Sequence, residues 1–176
     1  MQTERTLLTL LEEADLPEMM EMAHEPDTFR YIKKLRVMTE KEYEQFLLLK
    51  LEQIRRKTGY HWAVRLKGGA AAASGMAGAF IGAVNLNPIG NSQMLQIGCQ
   101  LKREWWGKGF ASELTKRVLE FALGEVGLTV VYGVFEKDNI VSRKLLKKLG
   151  FVWSESRVDQ DIEIEIHRYP PVEGLP

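Results

Sequence analysis

Residues 105–113 read WWGKGFASE, and the fold turns on this stretch. Two large rings, Trp105 and Trp106, run directly into Gly107-Lys108-Gly109, where almost no side chain is available to pack. Upstream, Met94 to Leu101 reads as a strand. Downstream, Ala111, Leu114, Val118, Phe121 and Ala122 recur at helical spacing, which predicts a helix from about Phe110 to Leu123 ended by Gly124 or Gly127. Strand, bare loop and helix start in that order put unpaired N–H groups, with their partial positive charge, beside a backbone that a phosphate can approach. Glycines also serve simply to turn a chain, so both readings stand at this point. Gly109 stands where a Walker A loop needs Ser or Thr, and Ser112 where a dinucleotide fingerprint needs its third glycine, so neither of those loops matches.

Working outward, Thr6 to Leu11 is a short apolar run that reads as a first strand. Asp15 and Glu18 frame a helix start with Pro17 in the first turn, and Leu16, Met19, Met20 and Ala23 follow at helical spacing. A capping box at Thr39–Glu42 opens a second helix, with Tyr43, Phe46, Leu47, Leu51 and Ile54 as its stripe, running to about Lys57 and stopping at Gly59. Tyr60 to Lys67 alternates, placing Trp62, Val64 and Leu66 opposite His61, Ala63 and Arg65, the pattern of a strand with one buried face. Residues 68–79, GGAAAASGMAGA, bury little and read as a mobile hairpin loop to a partner strand from Phe80 to Leu86. Leu128 to Phe135 is nearly continuously apolar, which predicts a strand buried on both faces. Asp138 or Asn139 caps a fourth helix ending at Gly150, and Phe151–Ser154 and Ile162–His167 close the sheet before an extended Pro-rich tail. Two early helices and three clustered strands depart from regular βαβα, so a mixed sheet with helices on both faces is expected.

Totals set the outer bounds. One hundred and seventy-six residues suit a single domain over 1–176. Twenty-four basic and 24 acidic residues cancel, which gives no general attraction to nucleic acid or to an anionic membrane. A lone cysteine, Cys99, fits a reducing compartment, and neither a membrane span nor a signal core is evident, so a cytoplasmic protein is expected. His24, His61 and His167 lack ligand spacing, so no metal site is expected.

The stretch IGCQLKREWWGKGFASELTKRVLEFAL, followed by EKDNIVSRKLLKKLGF, resembles the two central motifs of the GNAT superfamily of acyl-CoA-dependent N-acetyltransferases. W-G-K-G-[FY]-A-[ST]-E with N-x-x-S-x-x-L-x-x-x-G-F resembles more narrowly the Rim-type branch, which contains ribosomal-protein N-terminal acetyltransferases. The opening RTLLTLLEEADLPEMMEMAHEPDTFRYI is similar to that branch too. The resemblance implies an α+β fold with a mixed, mostly antiparallel sheet of about seven strands flanked by about four helices. It implies acetyl-CoA as co-substrate, a primary amine as acceptor, and a monomer or homodimer. Carried over residue by residue, the pyrophosphate loop falls on Trp106, Gly107, Lys108, Gly109, Phe110 and Ala111, with Ser112 behind it. Trp106 stands where the wider superfamily has Gln or Arg, as is common in the Rim-like branch. Gly98, Cys99, Gln100 and Leu101 match the strand whose backbone pairs with the pantetheine arm, and Asn139 matches the position holding that arm from the other side.

For catalysis, the resemblance implies a proton donor at Ser142, three residues beyond Asn139. Two positions that are often catalytic in relatives carry other residues: Gln96, where many have a Glu base, and Leu146, where many have a Tyr. An α-amine is about 17% neutral at pH 7 against about 0.04% for a lysine, so a missing base points toward an N-terminal amine. Glu163 and Glu165 are remote carboxylates, more in keeping with a wet strand face, and the base stays unassigned. Cys99 reads as a core residue rather than a nucleophile. Arg143, Lys144, Lys147 and Lys148 read as a solvated helix face, with one of them as an alternative candidate for the 3′-phosphate of CoA. Two alternatives to a protein or peptide N-terminus remain: a small-molecule amine such as an aminoglycoside or polyamine, or a CoA-binding module without catalysis.

Overall fold

The computed structural model describes residues 1–68, 78–90, 92–159 and 161–170. Most of the 68–79 loop and the tail beyond 170 therefore lie outside the described residues. Seven strands form one sheet: β1 (Thr6–Leu10), β2 (Tyr60–Leu66), β3 (Phe80–Pro88), β4 (Leu95–Leu101), β5 (Val131–Glu136), β6 (Val152–Asp159) and β7 (Ile162–Tyr169). Their order is β1-β2-β3-β4-β5-β7-β6. Every neighbouring pair is antiparallel except β4 and β5, which run parallel. Five helices accompany them among the described residues: α1 (Leu16–Ala23), α2 (Lys33–Arg36), α3 (Glu40–Arg55), α4 (Phe110–Gly124) and α5 (Ile140–Lys148).

Two apolar layers sandwich the sheet. On one face Val118, Leu114 and Ala122 of α4 pack on Trp62, Val64, Val84 and Ile97. On the other, Met19 and Met22 of α1 and Tyr43, Leu47 and Leu51 of α3 cover Ala63 and Ala83. This corrects the single-faced reading of β2: His61 and Ala63 are buried along with Trp62 and Val64, because helices cover both sides. Arg65, on the face expected to be wet, is largely enclosed and pairs with Asp15 at 2.9 Å and with Glu18. Asp15 is consequently no side-chain cap for α1. It accepts instead from the Glu12 N–H at 3.0 Å, within a short 3-10 turn, and from Arg65.

The Thr39 capping box forms as expected, with Glu42 N–H donating to Thr39 Oγ1 at 3.3 Å and Thr39 N–H to Glu42 Oε2 at 2.8 Å. Such a cap is worth about 1 kcal/mol. The single turn α2 is a helix beyond the expected four. It has no apolar stripe of its own and buries only Leu35; its Lys33 N–H is satisfied from 103 positions away, by Glu136 Oε1 at 2.7 Å. β5 alternates between buried Val131, Gly133 and Phe135 and half-buried partners, so the continuous apolar run overstated how tightly its second face is covered.

Candidate functional site

β4 and β5 touch at one register pair, Gln96 with Tyr132. Beyond it no further β4–β5 register pair forms, and the β5-facing edge of β4 from Ile97 to Leu101 has no strand partner among the described residues. Each strand then feeds a helix, β4 into α4 and β5 into α5. The crevice beyond the carboxyl ends of parallel strands is the general ligand position in sheets with helical crossovers. Gly98, Cys99, Gln100 and Leu101 line its β4 wall, while Asn139 and Ser142 stand at the start of α5.

Gly107 (φ +71°) and Gly109 (φ +84°) take the left-handed turn that residues with a Cβ avoid. The turn enters α4 with Gly109 at its N-cap and no capping side chain. Among the described residues, the N–H groups of Gly107, Lys108, Gly109, Phe110, Ala111 and Ser112 donate to no protein acceptor; the first helical amide to do so is Glu113, to Gly109 C=O at 3.2 Å. Six successive free amides at the mouth of a 15-residue helix suit a diphosphate. The loop and the open strand edge together fit the two ends of a CoA arm: anionic diphosphate on the amides, peptide-like pantetheine along β4.

The tryptophans have structural work. Trp106 turns its Nε1–H back to the Leu101 carbonyl at 2.7 Å, closing the end of β4, and is 44% exposed. Its ring is therefore a brace on the loop, and the indole N–H is spoken for. Trp105 meets Phe110 edge-on at 5.6 Å, with the Lys108 ammonium 4.7 Å over its ring.

Across the crevice, Asn139 caps α5 through Oδ1, which accepts from Ser142 N–H at 3.0 Å. The Asn139 amide NH₂ is the end left to meet a ligand. Ser142 is half-buried, and its hydroxyl bonds to no described residue. Leu146 is core: it is 6% exposed and lies over Gly133, where an added Cβ would fall 2.4 Å from Leu146 Cδ1.

The remote carboxylates are both occupied. Glu163 pairs with Lys137. Glu165 faces α5, accepting from Arg143 Nη2 at 2.7 Å and Nε at 3.0 Å and contacting His167 Nε2 at 3.1 Å. Burial works to raise its pKa, but the Arg143 and His167 bonds and charges outweigh it and hold the carboxyl below the usual range. Arg143 thus belongs to this network and not to the solvated cation face, and His167, 1% exposed, lies under it. Desolvation pushes the thiol of the half-buried Cys99 up to about 12, which disfavours a thiolate at neutral pH. Gln96, Gly98 and Gln100 share the face turned toward α1 and α3, since they pair with Asn87, Asn85 and Ala83. No group of His, Cys, Asp and Glu capable of holding a metal occurs among the described residues.

Arg5 and Glu136 were missed by sequence reasoning, because each acts through a partner more than 100 positions away. Glu113 was visible only as the last letter of WWGKGFASE, without a role.

A family model described as an acetyltransferase (GNAT) domain matches residues 5–152. The uncharacterised N-acetyltransferase YoaA of Bacillus subtilis (strain 168) is 38% identical over 56 residues, 32% of this chain and 32% of that protein, so the match spans about a third of the relative's length. A Vibrio cholerae spermidine N-acetyltransferase, solved with CoA and spermine, superposes with a TM-score of 0.73 at 19% identity over 93% of this chain and 94% of that one. RimL, a ribosomal L7/L12 α-N-protein acetyltransferase solved with CoA, does so with 0.76 at 11% identity over 94% of each chain.

Proposed function

The chain belongs to the acetyltransferase (GNAT) domain family, and on that premise we propose that it transfers an acetyl group from acetyl-CoA to a primary amine. The observation that carries this reading is the run of six free amides at the mouth of α4 beside an open β4 edge. In this reading Gly107–Ser112 hold the diphosphate, the backbone of Gly98–Leu101 and the Asn139 amide hold the pantetheine arm, and acetyl-CoA supplies an activated thioester. The neutral amine attacks the thioester carbonyl, the C–N bond forms and the C–S bond breaks. The amine sheds one proton to solvent, and the departing sulfur gains one from the Ser142 hydroxyl, which recovers it from water. Ser142 suits this role because its backbone is fixed by the Asn139 cap while its hydroxyl is uncommitted.

The acceptor we propose first is a protein or peptide N-terminal α-amine, in keeping with the Rim-like motifs. Gln96 cannot act as a base, and Glu163 and Glu165 are held in ion pairs, so the acceptor has to arrive largely deprotonated by itself. A polyamine is the second reading, supported by a surface hollow at the end of β5 where four acids, Glu136, Asp138, Asp161 and Glu163, outnumber one cation, Lys137, which pairs with Glu163. A CoA-release assay across N-terminal peptides, lysine peptides, aminoglycosides and polyamines tests both. Turnover with small amines alone overturns the first reading. Ser142→Ala is expected to lower kcat at least about tenfold with CoA affinity unchanged, and an unaltered kcat removes Ser142 from the mechanism. CoA binding without turnover on any amine would make the chain a non-catalytic module.

A further inference from the structure

Arg5, just ahead of β1, reaches the phosphate loop by four separate contacts. Its backbone N–H donates to Glu113 Oε1 at 3.1 Å and its Nε to Glu113 Oε2 at 2.7 Å. Its Nη1 donates to the Lys108 carbonyl at 3.0 Å, and its guanidinium carbon lies 3.9 Å over the Phe110 ring. Gly109 faces the same group, since a Cβ there would fall 3.6 Å from Nη2. Lys108 and Phe110 carry two of the six free amides and Glu113 follows the last, so one side chain touches the turn, the first helical residue and the only acid of the first turn of α4.

That acid needs a partner if the loop is to take an anion. A carboxylate in the first turn is favoured by the helix dipole, and it competes for that same field with any diphosphate on the amides. Glu113 is 19% exposed, too enclosed to be screened by water alone, and its carboxyl is held charged. Burial would raise its pKa, but bonds from Thr3 and Arg5 and the Arg5 charge hold it below the usual range.

We propose that Arg5 is a positioning residue for the diphosphate loop: it locks the left-handed turn through the Lys108 carbonyl and neutralises Glu113, so that the free amides present net positive potential. A lysine cannot do both, because the fork that spans Glu113 and Lys108 and the flat face on Phe110 belong to guanidinium. The inference rests on the loop being the CoA diphosphate site.

The test compares dissociation constants of the purified chain for CoA and for pantetheine, which lacks the diphosphate, together with acetyl-CoA kinetics. Arg5→Gln is expected to weaken CoA about tenfold or more and to raise the KM for acetyl-CoA in parallel, with kcat within about threefold and pantetheine binding within about twofold. Arg5→Lys should fall between, and adding Glu113→Gln to Arg5→Gln should recover at least about threefold, because the stranded carboxylate is gone. Should Arg5→Gln fail to fold, Glu113→Gln alone carries the test and is expected to bind CoA at least as tightly as the parent. Equal loss for CoA and pantetheine, no loss for either, a double variant no better than the single, or weakened CoA binding in Glu113→Gln each overturns the inference. A parent chain that does not bind CoA overturns the functional reading with it, whereas parent-like CoA binding by Arg5→Gln overturns the inference alone.

Discussion

A methyl group added at Gly133 should test why position 146 carries leucine. The added Cβ would lie 2.4 Å from Leu146 Cδ1 and 3.0 Å from Cδ2, well inside contact, with Leu146 buried between α5 and β5. Overpacking of this kind costs about 1–3 kcal/mol, and Leu146→Ala alone should cost about 2–5 kcal/mol through lost burial and the cavity left behind. In the double variant the methyl enters space that Leu146 vacates. Gly133→Ala should then be nearly free, giving a coupling of at least about 1 kcal/mol. For a chain of this size about 2 kcal/mol corresponds to a fall of roughly 4–8 °C in Tm, so thermal and urea melts of the four proteins resolve the cycle. Leu146→Tyr should destabilise further and bring no turnover, because a ring there lifts α5, with Asn139 and Ser142, off the sheet. A Gly133→Ala cost that is the same in both backgrounds would refute the packing argument, and so would a Leu146→Tyr variant with raised kcat.

Gly109→Ala places a Cβ at φ +84° and should cost about 1–2 kcal/mol of stability while weakening CoA binding; a melt and a calorimetric titration check the two effects, and an unchanged protein would remove the glycine requirement. His61 is 7% exposed and burial, then the Lys50 charge, depress its pKa to about 3. Its unfolded form titrates near 6.5, so the folded state is the poorer proton binder between these values and stability must fall as pH drops through that window, by up to about 1.4 kcal/mol per unit. His61→Gln should flatten the fall measured by urea melts at pH 6, 5 and 4. Glu163→Gln should leave kcat within about threefold, while Glu165→Gln should cost about 2 kcal/mol by stranding the partly buried Arg143; loss of kcat in Glu163→Gln with intact CoA affinity would make Glu163 the base.

What could be read from sequence was local. The strand–glycine–helix run at 94–123, the Thr39 box and the Asn139 cap three residues before Ser142 are i-to-i+3 chemistry, and all are in place. Alternation in Tyr60–Leu66 correctly gave a strand and one of its buried faces. It could not count layers, since burial of His61 and Ala63 depends on α1 and α3 folding back over β2. Glu165 failed as a wet-face residue for the same reason, Arg143 of α5 being its cover. α2 was invisible because its N-terminal bond comes from Glu136, and Arg5 because Glu113 lies 108 positions away.

The single register pair at Gln96–Tyr132 also divides the labour of the β4 residues. An opening edged by main-chain N–H and C=O groups recognises an amide-bearing arm without regard to the side chains behind it. Gln100 sends its side chain to the α1–α3 side, so in the proposed reading the donor seam is backbone and the side chains beside it face the other way. The choice of acceptor is then left to side chains on the other face of the sheet, and the donor to the backbone alone.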